Sequence, residues 1–499
     1  MTDQPNTWCT LPLSTLAALK TGPFGSTLHK SDYVEGGIPI VNPTHILRGK
    51  IVPSRSTTVS AATAARLPDF QLRTNDVVLG RRGEMGRCAV VGPEQKGWLC
   101  GTGSLIIRPK ELILPRYLQR FLSNPDTVRV LEGESVGSTM VNLNQGVLQD
   151  LSVPVPPISE QERIADKLDE LFVRVGATRE KLERVPELLK RFREAVLEAA
   201  VSGRLTEEDE IASSKSRDGI PATWLRTPFS DLIESIRTGT TEVPTDNATK
   251  FPVLRSSSVR PLSVDIQDRR YLTAQQSTNK GNFIQASDLL FTRLSGSVEY
   301  VGNCAMVRTD ASESIQYPDR LFRVRLKDPD QARYIEIAFA SRSVRKQIEE
   351  QVKSSAGHQR ISTNAITRAV LRIPPPADQA EIVRRVDQLF ALADVVERQL
   401  RKATVQVEKL APSLLAKAFR GELVPQDPND EPASVLLDRI RKAREEVGAT
   451  AKHVSRTTTK KVTAERLMPR ATRSVKRKPN KVAARSGSPM SQRLISKRK

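Results

Sequence analysis

A single fixed offset governs this chain. Pro156-Pro157-Ile158-Ser159-Glu160-Gln161 returns 218 residues later as Pro374-Pro375-Pro376-Ala377-Asp378-Gln379. Ile164 then maps to Ile382, Asp169 to Asp387, Leu171-Phe172 to Leu389-Phe390, and Gly203-Arg204-Leu205 to Gly421-Glu422-Leu423. The match runs without a gap for about 50 residues. Self-similarity of this kind means two like units, and it limits the folds open to the chain.

Inside the repeat, apolar residues recur every three or four positions. They run Ile164, Leu168, Leu171, Val175, Leu182, Val185, Leu189, Phe192, Val196 in the first copy. The second gives Ile382, Val386, Leu389, Ala393, Val396, Leu400, Ala403, Val407, Leu410, Leu414. Charged residues fill most positions between them, which is the pattern of a heptad seam. Prolines open each segment, Ser159 and Asp378 are the expected caps, and Gly203 and Gly421 suit the residue after a helix end. Pro186 and Pro412 are expected to break or kink the rods. A seam this long needs a partner, and the other copy is the nearest candidate.

The segments preceding each helix match more faintly. Lys20-Thr21-Gly22 resembles Arg237-Thr238-Gly239, and Gly37-Ile38-Pro39-Ile40 resembles Lys250-Phe251-Pro252-Val253. Asn75–Leu79 resembles Ser287–Phe291, and Gly86–Val91 resembles Gly302–Val307. Short β-rich runs alternate with glycine turns, and helices are expected at Pro115–Leu122 and Ala332–Ala340. Each unit reads as a mixed α/β domain of about 150 residues. The frames agree while the loops differ, which suggests two readers of two different things.

Charge bears on what is read. The 499 residues, enough for roughly two to four domains, carry 78 Lys+Arg against 57 Asp+Glu, a net +21. From Arg441 to Lys499 there are 19 Lys/Arg and 3 Asp/Glu, so that tail alone holds +16 and the rest only +5. The tail has few apolar residues and reads as disordered, with a capacity for non-specific DNA affinity. Any DNA recognition by the body must come from organisation, not from pI.

Several classes fall away. No apolar run is long enough to cross a membrane, and the first residues lack the pattern of a secretory signal. Cys9, Cys88, Cys100 and Cys304 form no CxxC pair, so a zinc ribbon is not expected and the setting reads as reducing cytoplasm. There is no GxxxxGK[ST] loop. Gly80, Gly83 and Gly86 lie between two strands and read as a hairpin. Neither a methyltransferase glycine motif nor its Asn/Asp-Pro-Pro-aromatic loop is present. Pro68-Asp69 with Glu94-Gln95-Lys96 formally matches a PD…ExK nuclease pattern, but Glu94 follows Gly92-Pro93 and reads as a turn.

The motifs Gly22-Pro23-Phe24-Gly25-Ser26, Pro156–Gln161, Phe192–Leu197 through Leu205, and Leu414–Pro425 resemble those of specificity subunits of type I restriction-modification enzymes. The resemblance covers roughly residues 11–440. It departs in the second copy, where Thr240-Thr241-Glu242 follows Gly239 and Ala380 replaces an acid. It implies an α/β (mixed) fold with two target-recognition domains, joined by two long antiparallel coiled-coil helical regions in a pseudo-twofold repeat. It also implies a chain that is not itself an enzyme and binds double-stranded DNA and two methylation subunits, and restriction subunits through them. S-adenosylmethionine, ATP and magnesium would belong to those partners, and no cofactor or metal to this chain. The alternatives are a stand-alone nuclease using Asp69, Glu94 and Lys96, and a coiled-coil adaptor without DNA readout.

The expected organisation is a first recognition domain at 1–155, a central helical region at 156–205, a linker at 206–222, a second recognition domain at 223–373, a distal helical region at 374–440 and the basic tail at 441–499. Antiparallel pairing would turn the two readers in opposite senses and make the target bipartite. Candidate DNA contacts are the polar and basic loop residues near the matched landmarks. They are Lys20, Ser26, Arg81, Arg82, Arg87, Asn142 and Asn144 in the first domain. In the second they are Arg237, Arg255, Arg293, Asn303, His358, Gln359 and Arg360. Gln359-Arg360 stands out because amide and guanidinium both make bidentate base contacts.

Overall fold

The structure is a computed structural model. It describes residues 4–24, 27–133, 143, 145–206, 221–273, 283–308, 314–355, 358–443 and 445. The tail expected to be disordered lies almost wholly outside them. The chain divides into two compact units. One comprises Met1–Gln119, Glu134–Glu162 and Gln426–Lys499, and the other Arg120–Gly133 and Arg163–Pro425.

The first unit is built on a four-stranded antiparallel sheet in the order Ala17–Thr21, Ser104–Pro109, Val77–Gly80, Cys88–Val90. Beside it Cys9–Pro12 pairs with Ser152–Val155. Val77, Val78 and Leu79 are all buried, as a strand covered on both faces requires. Gly83 and Gly86 take positive φ between the last two strands, so the glycine triplet is the expected hairpin. The segment after the second long helix returns to this unit. The Ala433 amide bonds the Thr7 carbonyl at 3.1 Å. Glu160 accepts hydrogen bonds from Trp8 Nε1 at 3.0 Å and from Gln426 Nε2 at 2.6 Å.

In the second unit the same plan recurs. Its sheet runs Ile233–Thr238, Leu321–Leu326, Leu289–Thr292, Cys304–Met306, and Leu225–Pro228 pairs with Val370–Ile373. Phe229, Phe291 and Phe339 pack edge-on or tilted, with centroids 4.8–6.1 Å apart, at the centre of the core. The agreement extends to single bonds. Asp76 accepts from the Arg73 amide and from Arg108, and Asp288 accepts from the Gln285 amide and from Arg325, each at 2.8–2.9 Å. The residues just before these aspartates, Asn75 and Ser287, both have positive φ. Tyr117 donates to the Pro154 carbonyl at 2.9 Å, and Tyr334 to that of Arg372 at 2.6 Å.

The long helices span Ile158–Ser202 and Pro376–Phe419, 45 and 44 residues. At 1.5 Å per residue each is about 65 Å long. Neither proline ends its helix: Pro186 and Pro412 lie inside continuous helix on exposed positions. A proline there gives up one backbone bond, a cost that is smaller at an exposed position than in a packed one. Ser159 and Asp378 sit within the first turns and are not the caps. Two buried glutamines tie down the proline segment that leads into each helix. Gln161 Nε2 donates to the Pro156 carbonyl at 3.0 Å, and Gln379 Nε2 to that of Pro374 at 2.9 Å. The bonds are themselves a repeat, and Gly203 and Gly421 follow the helix ends with φ of 82° and 76°.

Contacts within the second unit trace how the helices run. Asp169 receives Arg120 at 2.6 Å, and the neighbouring Phe121 packs edge-on against Phe419 at 5.3 Å. Further along, Arg193 reaches Asp394 at 2.8 Å and Glu397 at 3.0 Å. Arg385 then donates to the Leu205 carbonyl. Numbers rise on one helix as they fall on the other, so the pair is antiparallel. The less exposed stripe passes through Arg193, Glu397 and Ala411, while Phe192, Val396 and Leu410 are exposed. A helix of 3.6 residues per turn drifts against a strict heptad, so the stripe shifts by one position at these places, while Leu182, Val185, Leu189, Val196, Leu400, Ala403, Val407 and Leu414 stay on it.

Candidate nucleic-acid interface

The two readers are best compared at the end of the central strand of each sheet. Arg81 follows Val77–Gly80, and Arg293 follows Leu289–Thr292. The Arg81 amide bonds the Gly103 carbonyl at 2.9 Å, and its carbonyl accepts from Leu143 at 3.0 Å. For Arg293 the partners are the Arg320 carbonyl at 2.8 Å and the Ile361 amide at 3.1 Å. Both backbones are therefore held from two sides at equivalent places.

The side chains diverge. The Arg81 guanidinium lies 4.7 Å from the centre of the Phe24 ring, and the residue as a whole is only 7% exposed. Burial, and the like charge of Arg82, lower its pKa from the ordinary value. Arg293 instead donates to the Asp319 carbonyl at 2.9 Å and lies over Phe322. Each arginine is largely committed inside its own domain.

Other candidates sort by exposure and partner. Lys20 is exposed, pairs with Asp69 at 3.0 Å and lies 5.1 Å from the Phe70 ring centre. Arg82 and Arg237 are exposed. Arg87 donates to Glu84 at 2.7 Å, and Arg255 to Asp246 at 3.0 Å. Ser26, Asn142 and Asn144 lie outside the described residues. Asn303 is withdrawn from the surface: it is 3% exposed, next to Gly302 with its positive φ.

His358–Arg360 forms the middle strand of a small sheet with Leu294–Ser295 and Lys353–Ser355. Strand alternation points Gln359 and Arg360 to opposite faces of this sheet. Gln359 is part-buried, with Nε2 3.3 Å from Ser354, while His358 and Arg360 share the exposed face. The first unit has a different elaboration, a four-stranded sheet of Leu99–Cys100, Ile38–Val41, Thr58–Val59 and Tyr33–Val34.

The nuclease pattern does not assemble. Lys20 holds Asp69, and Glu94 lies in the short turn Pro93–Gln95 rather than on a strand. Among the described residues no three His, Cys, Asp or Glu side chains gather as a metal ion needs. No helix among them is long and apolar enough to cross a membrane. Sequence reasoning missed the role of Gln161 and Gln379, although the offset of 218 marked both. It also passed over Phe24, 46% exposed beside a buried arginine, which an aromatic in a glycine-flanked loop could have signalled.

Two equivalent α/β frames with different loops, carried on one chain with an antiparallel helix pair, define a two-reader recognition protein. The family described as "Type I restriction modification DNA specificity domain" matches residues 5–187. The EcoKI specificity subunit of Escherichia coli (strain K12) is 33% identical over 456 residues, covering 88% of this chain and 96% of that one. The StySPI specificity subunit of Salmonella potsdam is 29% identical over the same coverage. The HsdS subunit from Thermoanaerobacter tengcongensis has a similar fold, with TM-score 0.54 at 19% identity over 84% of this chain and 98% of its own. A chain from a structure concerning complex assembly and conformational transition of the type I R-M system gives TM-score 0.59 at 17% identity, covering 84% of this chain and 100% of its own. The chain belongs to the type I restriction enzyme specificity subunits.

Proposed function

We propose that this chain selects a bipartite duplex DNA target, one half per α/β domain, and directs adenine-N6 methylation and restriction by partner subunits. The matched frames carry this reading. The bonds that hold Asp76 and Asp288, or Arg81 and Arg293, are the same, while the added strands and loops differ. Selection acting on two different half-sites keeps a frame and varies its loops. Exposed Lys20, Arg82, Arg237, His358 and Arg360 would contact the DNA, with cations on phosphates and polar groups on base edges.

Two methylation subunits would dock on the long helices, whose outer faces expose Leu188, Leu392 and Val395 among Glu and Arg. Restriction subunits would join through them. The catalytic groups, S-adenosylmethionine, ATP and magnesium then belong to those subunits, and the complex works in the cytoplasm. The test is methyl transfer by purified components. The chain with its methylation partner should modify adenine at one two-part motif, and the chain alone should modify nothing. Methyl transfer or cleavage by the isolated chain would overturn the proposal.

A further inference from the structure

The first domain exposes a large aromatic ring that no packing role explains. Phe24 is 46% exposed, yet one side of its ring is occupied by the guanidinium of Arg81. Arg81 is itself fixed, because its amide and carbonyl are both bonded, to Gly103 and from Leu143. A cation over a ring face is attracted by the ring's quadrupole. The ring is thus backed by the side chain of a residue whose backbone is pinned, while its remaining surface faces solvent. Arg82, the next residue, is exposed and adds positive charge beside it.

The second domain lacks the device at the equivalent position. Gly22 and Gly239 occupy equivalent places: a Cβ on either would lie about 2 Å from a carbonyl oxygen, of Gly101 or of Tyr317. Counting on from these glycines, Thr241 stands where Phe24 does. Arg293, the counterpart of Arg81, covers Phe322 and bonds the Asp319 carbonyl. At this position the braced, exposed aromatic belongs to the first reader; the exposed ring of the second is Tyr300, at another place in the fold, with the Arg260 guanidinium 5.6 Å from its centre.

We infer that Phe24 is a base-contacting residue of the first half-site, its open ring surface stacking as a wedge at a deformable base step. The inference rests on the DNA-reading function proposed above. An apolar wedge partly unstacks a step, so it favours steps that deform easily and is penalised on stiff tracts. Ordering cost is low because Arg81 already holds the ring.

The test uses the full chain assembled with its methylation partner and three duplexes. These are the methylated target sequence, that target with the first half replaced by an A-tract, and that target with the second half replaced. The first half is the one that changes when residues 11–155 are exchanged. Phe24→Leu should weaken binding to the intact target roughly 5- to 150-fold, the range for loss of a base–aromatic stack. It should leave the first-half-replaced duplex within about twofold, and should weaken the second-half-replaced duplex as much as the intact one. Phe24→Tyr, which keeps the ring, should bind the intact target within about threefold of the parent. Unchanged binding by Phe24→Leu overturns the inference, as does equal weakening on all three duplexes. A parent complex that fails to discriminate the duplexes would instead overturn the DNA reading beneath it.

Discussion

Seven residues inserted between Thr178 and Leu182 should slide one end of the first long helix past the second by about 10 Å. The contacts define what that does. Arg193 with Asp394 and Glu397, and Arg385 with Leu205, lie on the far side of the insertion and can keep register. Arg120 with Asp169, and Phe121 with Phe419, lie on the near side and cannot both survive, because residues 120 and 121 bridge the two helices. The aromatic pair is worth about 1 kcal/mol and the part-exposed ion pair up to about 1 kcal/mol, so the single insertion should cost about 2 kcal/mol.

A second heptad between Lys409 and Leu410 faces the first in the antiparallel register and should restore both contacts. The doubly extended chain should methylate the same two half-sites with about three more base pairs between them, since B-DNA rises about 3.4 Å per pair. A heptad turns the seam by only about 20°, whereas two or five residues would rotate it off its partner. Methylation mapping by sequencing and a urea melt read both effects. A doubly extended, active chain with an unchanged gap would refute the argument that the helices set the spacing.

Asp288→Asn should destabilise the second unit by about 2–3 kcal/mol, because it weakens charge-assisted bonds to a buried carboxylate. Asp76→Asn should do the same to the first unit, and Asp69→Asn, in an exposed pair with Lys20, should change stability by less than about 1 kcal/mol. Chemical denaturation of each variant measures this, and equal effects at all three positions would refute it. Burial raises the Cys100 and Cys304 thiols above their ordinary value of 9.0. The unfolded thiols therefore ionise first, and stability should be full below pH 9 and fall as pH rises beyond it. A thiol reagent at pH 8 should label half-buried Cys9 in the native protein and all four cysteines only after denaturation. Truncation from Arg456 should weaken non-specific DNA binding and flatten its salt dependence without altering the methylated motif.

Much of the architecture could be read from residue order, for identifiable reasons. The offset of 218 survives because helix starts, glycine ends and seam positions are local requirements, and the same local chemistry recurs at Gln161 and Gln379. Pro115–Leu122 and Ala332–Ala340 form helices over the expected residues, since apolar period and flanking turns agree there. Pro186 and Pro412 do not break their helices, because the cost of an interior proline depends on exposure, which residue order does not carry. Asn303 looked like a reader and is buried, while Phe24 looked like a loop residue and is braced in the open. Both depend on contacts with residues far along the chain. The readers differ between copies by design, so the repeat that reveals the frame says little about them.

The central claim is that two separable readers on one chain each choose half of a DNA target. Exchanging residues 11–155 for the matching segment of a related specificity subunit, followed by adenine-methylation mapping with the native methylation partner, tests it directly. The account predicts a new motif in which one half and only that half has changed, with the gap preserved. A motif altered in both halves, or one left wholly unaltered by an active exchange, would contradict it.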